Sequence, residues 1–372
     1  MGNSDVLIIG AGLAGLCAAI ELRKAGIPVT LIERHAFPRH KVCGEYLSQE
    51  VVPYLRSLGV SLNDAPIIRN FVLCNRLGRS IRRELPLGGI GMSRYALDQR
   101  LYEVAQQAGV RFVFEKALEV CPSREGAMAL TADGSYEAKV LLAAWGKRSL
   151  LDRQAGRDFW TRESPWMAVK THFRNADFPP DQVGLYFFKG GYAGCSLTET
   201  GDLNFCYLIR KERFREFGDP MAATRGILAE NPGFRSIFRE AYPVFESPLT
   251  IAQIDFGHKE RVGQNTLYLG DAAHLIYPLC GNGMAMAVHS GRLAGRLTRE
   301  YLGSQESPFE TLAKNYELQW QHQFAHRLRW GKALQGFLTR SYGMEWALKL
   351  SFLMPELFRA AIRQTHGKPL PV

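Results

Sequence analysis

The sequence predicts an α/β fold with three parts: a Rossmann-like parallel sheet covered by helices, an antiparallel sheet, and a helical C-terminal region. Residues 5–33 have the pattern of a strand, a glycine turn, a helix and a second strand, which is the succession that builds a parallel βαβ unit. Residues 166–209 contain four runs rich in β-branched and aromatic residues, separated by glycine-rich turns, which is typical of an antiparallel sheet. Helical patterns fill residues 308–366.

A glycine motif lies between the first strand and the first helix. Gly10, Gly12 and Gly15 follow the apolar run of residues 5–9 in the spacing G-x-G-x-x-G. The first glycine allows a tight turn, the second lets the backbone approach a pyrophosphate, and the third lets the helix pack closely on the sheet. Glu33 ends the next strand, where a carboxylate can bind the hydroxyls of a ribose. Together these features predict a dinucleotide site.

The composition is that of an ordinary globular protein. The chain has 372 residues, of which 46% are hydrophobic and 22% charged, an ordinary composition for a globular protein. No apolar run reaches the roughly 18 residues that a membrane helix needs, and the first strand, beginning at Asp5, leaves no room for a signal peptide. The seven cysteines are scattered without a C-x-x-C pair, which favours a reducing compartment. We expect a cytoplasmic protein without a metal site.

The charge is unevenly distributed. The net charge is +10, and residues 311–368 contain nine Lys or Arg against three Glu. No aromatic-basic repeat or nucleic-acid motif accompanies this charge, so no nucleic-acid partner is expected. Two interpretations stay open: a solvated face that also attracts an anionic cofactor, or a surface that docks to an acidic carrier protein or a membrane.

A second nucleotide-binding element is predicted at residues 267–286. A short apolar strand ends at Gly270-Asp271, and an aspartate at a strand end can hydrogen-bond a polyol chain. Gly281 and Gly283 then open a long helix, whose free N–H groups can face the negative edge of a ring.

The two motifs together resemble the FAD-dependent hydroxylases of the para-hydroxybenzoate hydroxylase type and the related geranylgeranyl reductases. The resemblance implies a Rossmann-like FAD-binding domain of the glutathione reductase type. It assigns a set of cofactor-binding residues: Gly10, Gly12, Ala14, Gly15, Glu33 and Arg34 with the ADP half, Arg94 near the phosphates, Gly270 and Asp271 at the ribityl chain, and Pro278, Gly281, Asn282, Gly283 and Met284 along the isoalloxazine.

One segment departs from the hydroxylases. They usually have Asp-Gly where this chain has Trp145-Gly146, and that aspartate helps with both the FAD pyrophosphate and the pyridine nucleotide. The chain keeps Gly146, Ser149 and Arg153. FAD binding is therefore expected, and NAD(P)H is the expected electron donor although its handling is put in doubt.

The resemblance does not decide whether the protein is a hydroxylase or a reductase. The segment 39–48 is similar to the K-x-C-G-[DE] segment of the geranylgeranyl reductases, which passes near the flavin, so Cys43 and Glu45 are catalytic candidates. The Y-x-W-x-F-P motif of those reductases is reduced here to Tyr192 followed by Gly194 and Ser196-Leu197. His274, in the sequence GDAAH, is typical of the hydroxylases and is a third catalytic candidate.

We predict an NAD(P)H-dependent monooxygenase that hydroxylates an aromatic or polyketide-like substrate through a flavin C4a-hydroperoxide. The alternatives are a flavin reductase that saturates a C=C bond of an isoprenoid or related lipid, and a non-catalytic flavoprotein that binds a hydrophobic ligand. The aromatic-rich strands predict a hydrophobic substrate, free or carrier-bound, in contact with Tyr186, Tyr192 and Phe205.

The predicted domains are an FAD-binding domain of residues 1–160 and 255–305, a substrate domain of 161–254 that part of 60–92 joins, and a helical region of 306–372. We expect the last to act as a lid on the pocket, a dimer surface or a peripheral membrane contact.

Overall fold

The structure, a computed structural model, describes residues 4–123, 125–304, 308–340 and 342–371. These residues form eighteen strands: β1 Val6–Ile9, β2 Val29–Ile32, β3 Tyr46–Ser48, β4 Ile67–Cys74, β5 Ser80–Gly91, β6 Arg111–Val113, β7 Glu119–Pro122, β8 Ala127–Leu130, β9 Ser135–Ala138, β10 Val140–Ala143, β11 Trp166–Arg174, β12 Gln182–Phe188, β13 Gly191–Leu197, β14 Leu203–Arg210, β15 Tyr242–Pro243, β16 Leu249–Ile251, β17 Val262–Gly263 and β18 Thr266–Tyr268. The same residues form ten α-helices: α1 Leu13–Lys24, α2 Val52–Ser57, α3 Arg94–Gln107, α4 Leu150–Gln154, α5 Lys211–Arg215, α6 Pro220–Glu230, α7 Gly283–Gly303, α8 Phe309–Leu338, α9 Gly343–Leu353 and α10 Pro355–Arg363.

The first sheet is the predicted parallel sheet. Its order is β17-β18-β10-β1-β2-β6, and every pair of neighbours is parallel except β17 with β18. Side chains alternate across a pleated strand, so Val6 and Ile8 of β1 pack against α1, α3 and α7. Leu7 and Ile9 face the other side, which the small sheet β7-β8-β9 covers. The Rossmann-like part of the predicted fold is therefore confirmed.

The second sheet has the order β15-β11-β14-β13-β12-β4-β5-β3, with β16 also paired to β11. It is antiparallel except for the pair β12 and β4. The antiparallel sheet predicted for residues 166–209 is thus confirmed, and β4 and β5 extend it with residues from 67–91.

The two faces of this second sheet have different surroundings. On the face that we call the outer face, Tyr186 and Phe205 pack against Ile227 of α6 and against Phe234. On the opposite face, the inner face, Tyr192 belongs to an apolar cluster that also contains the C-terminal helices and the loop after β18. The inner face is therefore the one directed toward the second predicted nucleotide element.

The C-terminal helices complete both cores. Tyr316, Trp320 and Phe324 of α8 are buried in the core of the parallel sheet, whereas Met344 of α9 and Phe358 of α10 pack on the inner face. The division into three domains stays a prediction, and its boundary at 305/306 lies outside the described residues. In the part of the chain that the structure describes, no helix is both long and apolar enough to cross a membrane.

Candidate functional site

The two nucleotide-binding motifs, which are far apart in the sequence, are adjacent in the structure. Helices α1 and α7 pack so closely that a Cβ on Gly291 would lie 2.2 Å from the Ala14 carbonyl oxygen. A Cβ on Gly270 would lie 3.1 Å from the Ala14 Cβ. The glycine turn after β1 and the Gly270-Asp271 turn after β18 therefore border one cleft, and Ala14 forms part of its packing rather than its opening.

The three glycines of the first motif have different surroundings. Gly10 has φ +101°, and its Cβ would lie 2.4 Å from the Ala144 oxygen; a Cβ on Gly15 would lie 2.1 Å from the Gly10 oxygen. Both positions are therefore glycine because of the fold. A Cβ on Gly12, in contrast, would meet only Arg94 Nη2, at 3.9 Å. Open space beside a guanidinium and at the start of α1 fits a phosphate group.

Glu33 is buried at the end of β2 and takes part in the turn itself. Its Oε2 accepts a hydrogen bond from the Ala11 N–H at 2.9 Å, and its Oε1 accepts from the His35 N–H at 3.1 Å and from Arg39 Nη2 at 3.3 Å. Glu33 therefore holds the glycine turn against β2. Arg34 is exposed at the next position.

Arg94 is fixed beside the glycine turn. Its Nε and Nη2 donate to the two carboxylate oxygens of Asp98 at 2.7 and 2.9 Å, and Lys41 Nζ lies 2.7 Å from Asp98 Oδ2. Burial alone would lower the pKa of Arg94, but the Asp98 carboxylate raises it above its ordinary value. Arg94 is thus a permanent, oriented cation in the cleft.

Asp271 is exposed to solvent although protein surrounds it closely. The surrounding protein removes part of the solvation of its carboxyl group and so raises its pKa, although the cations Lys259, Arg94 and Lys147 act in the opposite direction. Lys259 Nζ donates to the Asp271 carbonyl oxygen at 2.9 Å, and burial lowers the pKa of Lys259 to about 8. The cleft therefore combines one solvent-accessible acceptor with several cations, which suits a polyol chain next to a pyrophosphate.

The loop before α7 is anchored from both sides. A short 3₁₀ turn spans Pro278–Cys280, and the Leu279 N–H donates to the Tyr192 hydroxyl at 3.0 Å. Gly281 has φ +63°, and its Cβ would lie 3.2 Å from the Tyr46 ring. The loop therefore touches the segment after β2 on one side and the inner face of the sheet on the other.

Four further predicted residues lie around this loop. Pro278 and Gly283 are exposed to the cleft, whereas Met284 is buried in the core. Asn282 is also buried, and its Nδ2 donates to the Thr365 oxygen at 3.0 Å. The Asn282 amide nitrogen thus binds the C-terminal segment.

His274 lies in a neutral form beside this loop. Burial, together with cations such as Arg261 and Lys259, lowers its pKa to about 3. Within the described part of the chain its Nδ1 is buried without a hydrogen-bond partner. The imidazole is therefore uncharged at neutral pH, and a catalytic role of His274 stays a prediction.

Glu45 is the centre of a buried ionic cluster. Its side chain is fully buried, with Oε1 2.5 Å from Lys170 Nζ and Oε2 2.7 Å from His172 Nε2. Oε1 also accepts from the Arg94 N–H at 2.7 Å. Burial alone would raise the pKa of Glu45, but the hydrogen bond from His172 and the charge of Lys170 hold it below its ordinary value. Glu45 is therefore held as a carboxylate that fixes its segment, and its role in catalysis stays a prediction.

Cys43 lies two residues earlier, on the cleft side of this cluster. Asn204 Nδ2 donates to the Gly44 oxygen at 2.8 Å and to the Cys43 oxygen at 3.3 Å, which fixes the segment to β14. Burial raises the pKa of the Cys43 thiol, although Arg94 opposes that shift. Cys43 therefore remains a protonated thiol at neutral pH, next to the same arginine that borders the glycine turn.

Trp145 is part of a network that sequence patterns did not indicate. Its Nε1 donates to Asp152 Oδ1 at 2.9 Å, and Arg157 Nη1 contacts the same oxygen at 2.7 Å. Arg157 Nη2 continues to the Ala272 oxygen at 2.9 Å. Asp152 thus links the segment after β10 to the Gly270-Asp271 turn through its own partners.

The three predicted substrate residues are not brought together. Tyr192 lies on the inner face, where its hydroxyl donates to Gln335 Oε1 at 3.0 Å. Tyr186 and Phe205 lie on the outer face, in the core beneath α6. Strand pairing explains the separation: Phe187 pairs with Tyr192 and Tyr186 with Ala193, so the two tyrosines point in opposite directions. Tyr186 and Phe205 therefore lie on the opposite face from Tyr192, and the contact of the three residues with substrate stays a prediction.

The chain matches known flavin proteins along most of its length. Residues 3–190 match the profile of the FAD binding domain family. The menaquinone reductase of Mycobacterium tuberculosis is 26% identical over 336 residues, covering 79% of this chain and 76% of that protein. A digeranylgeranylglycerophospholipid reductase of Methanothermobacter thermautotrophicus is 27% identical over 385 residues, covering 98% and 92%.

The fold also matches solved structures. A triple mutant of a flavin-dependent brominase superposes with a TM-score of 0.79 and 20% sequence identity, covering 97% of this chain and 94% of that chain. These similarities agree with the resemblance found in the motifs.

Proposed function

Because this chain belongs to the FAD binding domain family and is an FAD-dependent oxidoreductase, we propose that it reduces a carbon–carbon double bond of an isoprenoid-type lipid. The observation that carries the proposal is the position of Cys43. Its backbone is fixed to β14 by Asn204, Glu45 of the ionic cluster follows two residues later, and Tyr46 of the same segment packs against Gly281 of the loop before α7. Burial keeps the thiol protonated.

The residues of the cleft fit FAD. The open space at Gly12, the N-terminus of α1 and the guanidinium of Arg94 would hold the pyrophosphate. Glu33 would serve the adenosine ribose and Asp271 the ribityl chain, with the loop before α7 along the ring system. FAD supplies a two-electron carrier that can deliver a hydride to one carbon of a double bond.

The protein would then supply the proton. Saturating a C=C bond requires a hydride on one carbon and a proton on the other, so the chain must provide an acid near the reacting bond. The Cys43 thiol is that acid in this proposal, and its thiolate would be reprotonated from solvent after turnover. Arg94 and Lys170 both favour the charged form of this thiol, and so would stabilise the thiolate while it exists.

Glu45, Lys170 and His172 act as positioning residues. Lys170 and His172 bind the two carboxylate oxygens of Glu45, two residues after Cys43. The charges of Glu45 and Lys170 cannot relax into solvent, because neither side chain has exposed surface. A fixed segment keeps the thiol at one distance from the loop before α7, which is the requirement for efficient proton transfer.

The names of two relatives support a lipid substrate. One is a menaquinone reductase and the other a digeranylgeranylglycerophospholipid reductase. In this chain, the inner face beside the loop is apolar, with Phe187, Tyr192 and Leu208 next to Leu275 and Leu279. A long apolar substrate is compatible with that lining.

We propose NAD(P)H as the electron donor. The carboxylate that the hydroxylases place before Gly146 is absent, and Asp152 is occupied by Trp145 and Arg157. Comparing NADH, NADPH and dithionite as reductants of the bound flavin tests this point separately from the reaction on the substrate.

A monooxygenase is the second candidate, and the geometry at Gly194 favours it. On the inner face, a Cβ at Gly194 would have only the Cys206 oxygen nearby, at 3.7 Å. The geranylgeranyl reductases resembled by this chain usually have a tryptophan there, so this chain has room for a bulky ring. That space suits the aromatic or polyketide-like substrate of a hydroxylase.

One experiment separates the two reactions. FAD-loaded protein is incubated with menaquinone or a geranylgeranyl lipid and dithionite without oxygen, and products are analysed by mass spectrometry. A product heavier by two hydrogens supports the reductase. Incorporation of oxygen from 18O2 into an aromatic substrate, with no anaerobic product, contradicts the reductase and supports the monooxygenase.

A further inference from the structure

Helix α9 and the turn that follows it present an unusual amount of apolar surface to solvent. Six large apolar side chains between the start of α9 and the first turn of α10 are at least half exposed, and we call them the apolar tip: Tyr342 50%, Trp346 59%, Phe352 68%, Leu353 77%, Met354 52% and Leu357 50%. Isolated exposed apolar residues are common, but a contiguous group marks an interaction surface.

Helix geometry makes these residues one surface. Tyr342, Trp346 and Leu353 follow one another at spacings of four and seven residues, so they share the side of α9 that faces away from the protein. Met344 and Leu348 occupy the opposite, buried side. The chain then remains exposed from residue 352 to 357, where Pro355 ends one helix and starts the next.

Cations are interleaved with this apolar surface. The Arg83 guanidinium lies 5.0 Å from the Phe352 ring centroid, and Lys349 Nζ lies 5.5 Å from the Trp346 ring centroid. Arg340 Nη1 donates to the Tyr342 hydroxyl at 3.0 Å.

Two acids lie in the same segment. Glu356 is paired with a cation, since its Oε1 lies 3.1 Å from Arg359 Nη1. Glu345 Oε1 accepts at 2.6 Å from Asn75 Nδ2, a neutral amide that does not balance its charge. Arg83, Arg340 and Lys349 outnumber this one carboxylate, so the net charge next to the apolar tip is positive.

From this arrangement we infer that the apolar tip inserts into the interfacial layer of an anionic lipid bilayer. Aromatic rings, a projecting aliphatic turn and surrounding Lys and Arg are the chemistry that lies at the boundary of head groups and acyl chains. Helix α9 spans eleven residues, Gly343–Leu353, which is too short to cross a bilayer. The contact is therefore peripheral.

The same helix connects the bilayer surface to the cleft. Met344, Ala347 and Leu348 on the buried side of α9 belong to the apolar cluster of Leu275 and Leu279, in the segment before α7. One helix thus separates the apolar tip from the predicted flavin loop. A substrate drawn from the bilayer would therefore pass only one apolar helix before it reached the flavin loop. This step rests on the proposed function.

The test measures binding to vesicles without turnover. FAD-loaded full-length protein is sedimented with vesicles of phosphatidylcholine alone or of phosphatidylcholine mixed with phosphatidylglycerol. The wild-type protein should bind the mixed vesicles, and Leu353→Asp with Phe352→Ser should reduce binding by at least about tenfold. Leu318→Asp is the matched control, because Leu318 is 55% exposed on α8 outside the apolar tip; it should bind as wild type does. Arg340→Glu with Lys349→Glu should remove the preference for the anionic vesicles.

Several results would overturn the inference. These are no binding to either vesicle, equal loss in the Leu318→Asp control, or a stable dimer by light scattering that Leu353→Asp dissociates. Preferential binding of a purified acidic carrier protein, reduced by Leu353→Asp, in the absence of vesicle binding would also overturn it. Flavin content of each variant shows that the protein is folded. If the protein reduced a detergent-dispersed lipid but did not bind vesicles, the proposed function would stand and the membrane surface would be rejected. If it bound vesicles but reduced no lipid, the membrane surface would stand and the proposed function would be rejected.

Discussion

Glu45 and Lys170 form a salt bridge of 2.5 Å in which neither side chain has exposed surface. It joins the segment after β2 to strand β11 of the second sheet, and His172 on the same strand binds the other carboxylate oxygen at 2.7 Å. Glu45 immediately precedes β3, the edge strand of the same sheet, so these buried charges tie that edge to β11 next to the predicted flavin loop.

Removing one member of this pair should destabilise the folded protein. Glu45→Gln or Lys170→Met leaves a buried charge without its partner, and each should lower the free energy of unfolding by about 3–5 kcal/mol. The double variant should lose less than the sum of the single losses, because it removes both charges. Denaturant unfolding of the four proteins measures the coupling; additive losses would show that the two charges do not depend on one another. Arg82→Gln, at an exposed pair with Asp181, is the control and should change stability by less than about 1 kcal/mol.

Gly12 and Gly15 should respond differently to the same kind of substitution. Gly15→Ala should destabilise the protein with or without FAD, because the new Cβ would lie 2.1 Å from the Gly10 oxygen. Gly12→Val has no such clash within the described residues and should leave the apoprotein stable while abolishing FAD binding. Thermal unfolding without cofactor and a flavin fluorescence titration measure the two effects. If Gly12→Val destabilised the apoprotein as much as Gly15→Ala, the space at Gly12 would have a structural role instead.

Cys43 should be required for reduction but not for cofactor binding. Cys43→Ala removes the proposed proton donor, and we expect the rate of double-bond reduction to fall by about 100-fold. The flavin content should stay unchanged, and Cys121→Ser, at a cysteine near the surface, should retain full activity. Because burial raises the pKa of Cys43, the wild-type rate should decline only at alkaline pH. An unchanged rate in Cys43→Ala would assign the proton to another group.

Glu50 should make the protein sensitive to acid. Burial alone would raise its pKa, but the hydrogen bond from His289 and the charge of Arg327 lower it to about 2. Between that value and the ordinary pKa of about 4.3, the unfolded chain binds the proton and the folded chain does not, so acid favours unfolding. Glu50 therefore contributes stability above pH 4.3, and about 3 kcal/mol of it should be lost as the pH falls toward 2.

His289 acts in the same direction, since burial lowers its pKa and protonation therefore also favours the unfolded chain. The comparison with Glu50→Gln isolates the carboxylate. That variant should be less stable at pH 7 but should lose less stability on acidification, as measured by denaturant midpoints across the pH range. A curve parallel to wild type would remove Glu50 as the source.

The contacts of Glu50 with the C-terminal region change the interpretation of the basic residues there. Arg327 is buried, with Nη1 3.3 Å from Glu50 Oε2, and the Gly367 N–H donates to that oxygen at 3.1 Å. Trp320 is also buried in the core of the parallel sheet. Part of the predicted charge surplus therefore holds the C-terminal segment in place, which a simple lid over the pocket would not require.

Local patterns predicted the parallel sheet and the two glycine turns because their causes are local. Gly15 packs against the Gly10 oxygen within one turn, and the apolar run of β1 follows from a strand buried on both faces. The contact of Gly10 with Ala144, in contrast, is distant in sequence and only the structure shows it. Arg94 could be placed near the phosphates only through the resemblance. Its neighbour Asp98, which orients it, lies four residues later on the same helix face.

The ionic cluster and the faces of the second sheet could not be predicted in this way. Glu45 and Lys170 are 125 residues apart in the sequence and come together only when the segment before β3 lies against β11 of the same sheet, so no local pattern predicts the pair. The separation of Tyr186 from Tyr192 depends on the register of β12 with β13, and a shift of one residue would exchange the faces. Both features therefore follow from tertiary structure rather than from sequence spacing.

The close packing of Gly291 against Ala14 has a consequence for biosynthesis. A nascent chain contains the first glycine turn early, but it acquires the partner helix α7 only when residues 283–303 have been synthesised. Until then, the turn has no Asp271 beside it and no α7 against which α1 can pack. We therefore expect the cofactor to bind with full affinity only after α7 has folded, so that it stabilises the assembled cleft and not earlier folding intermediates.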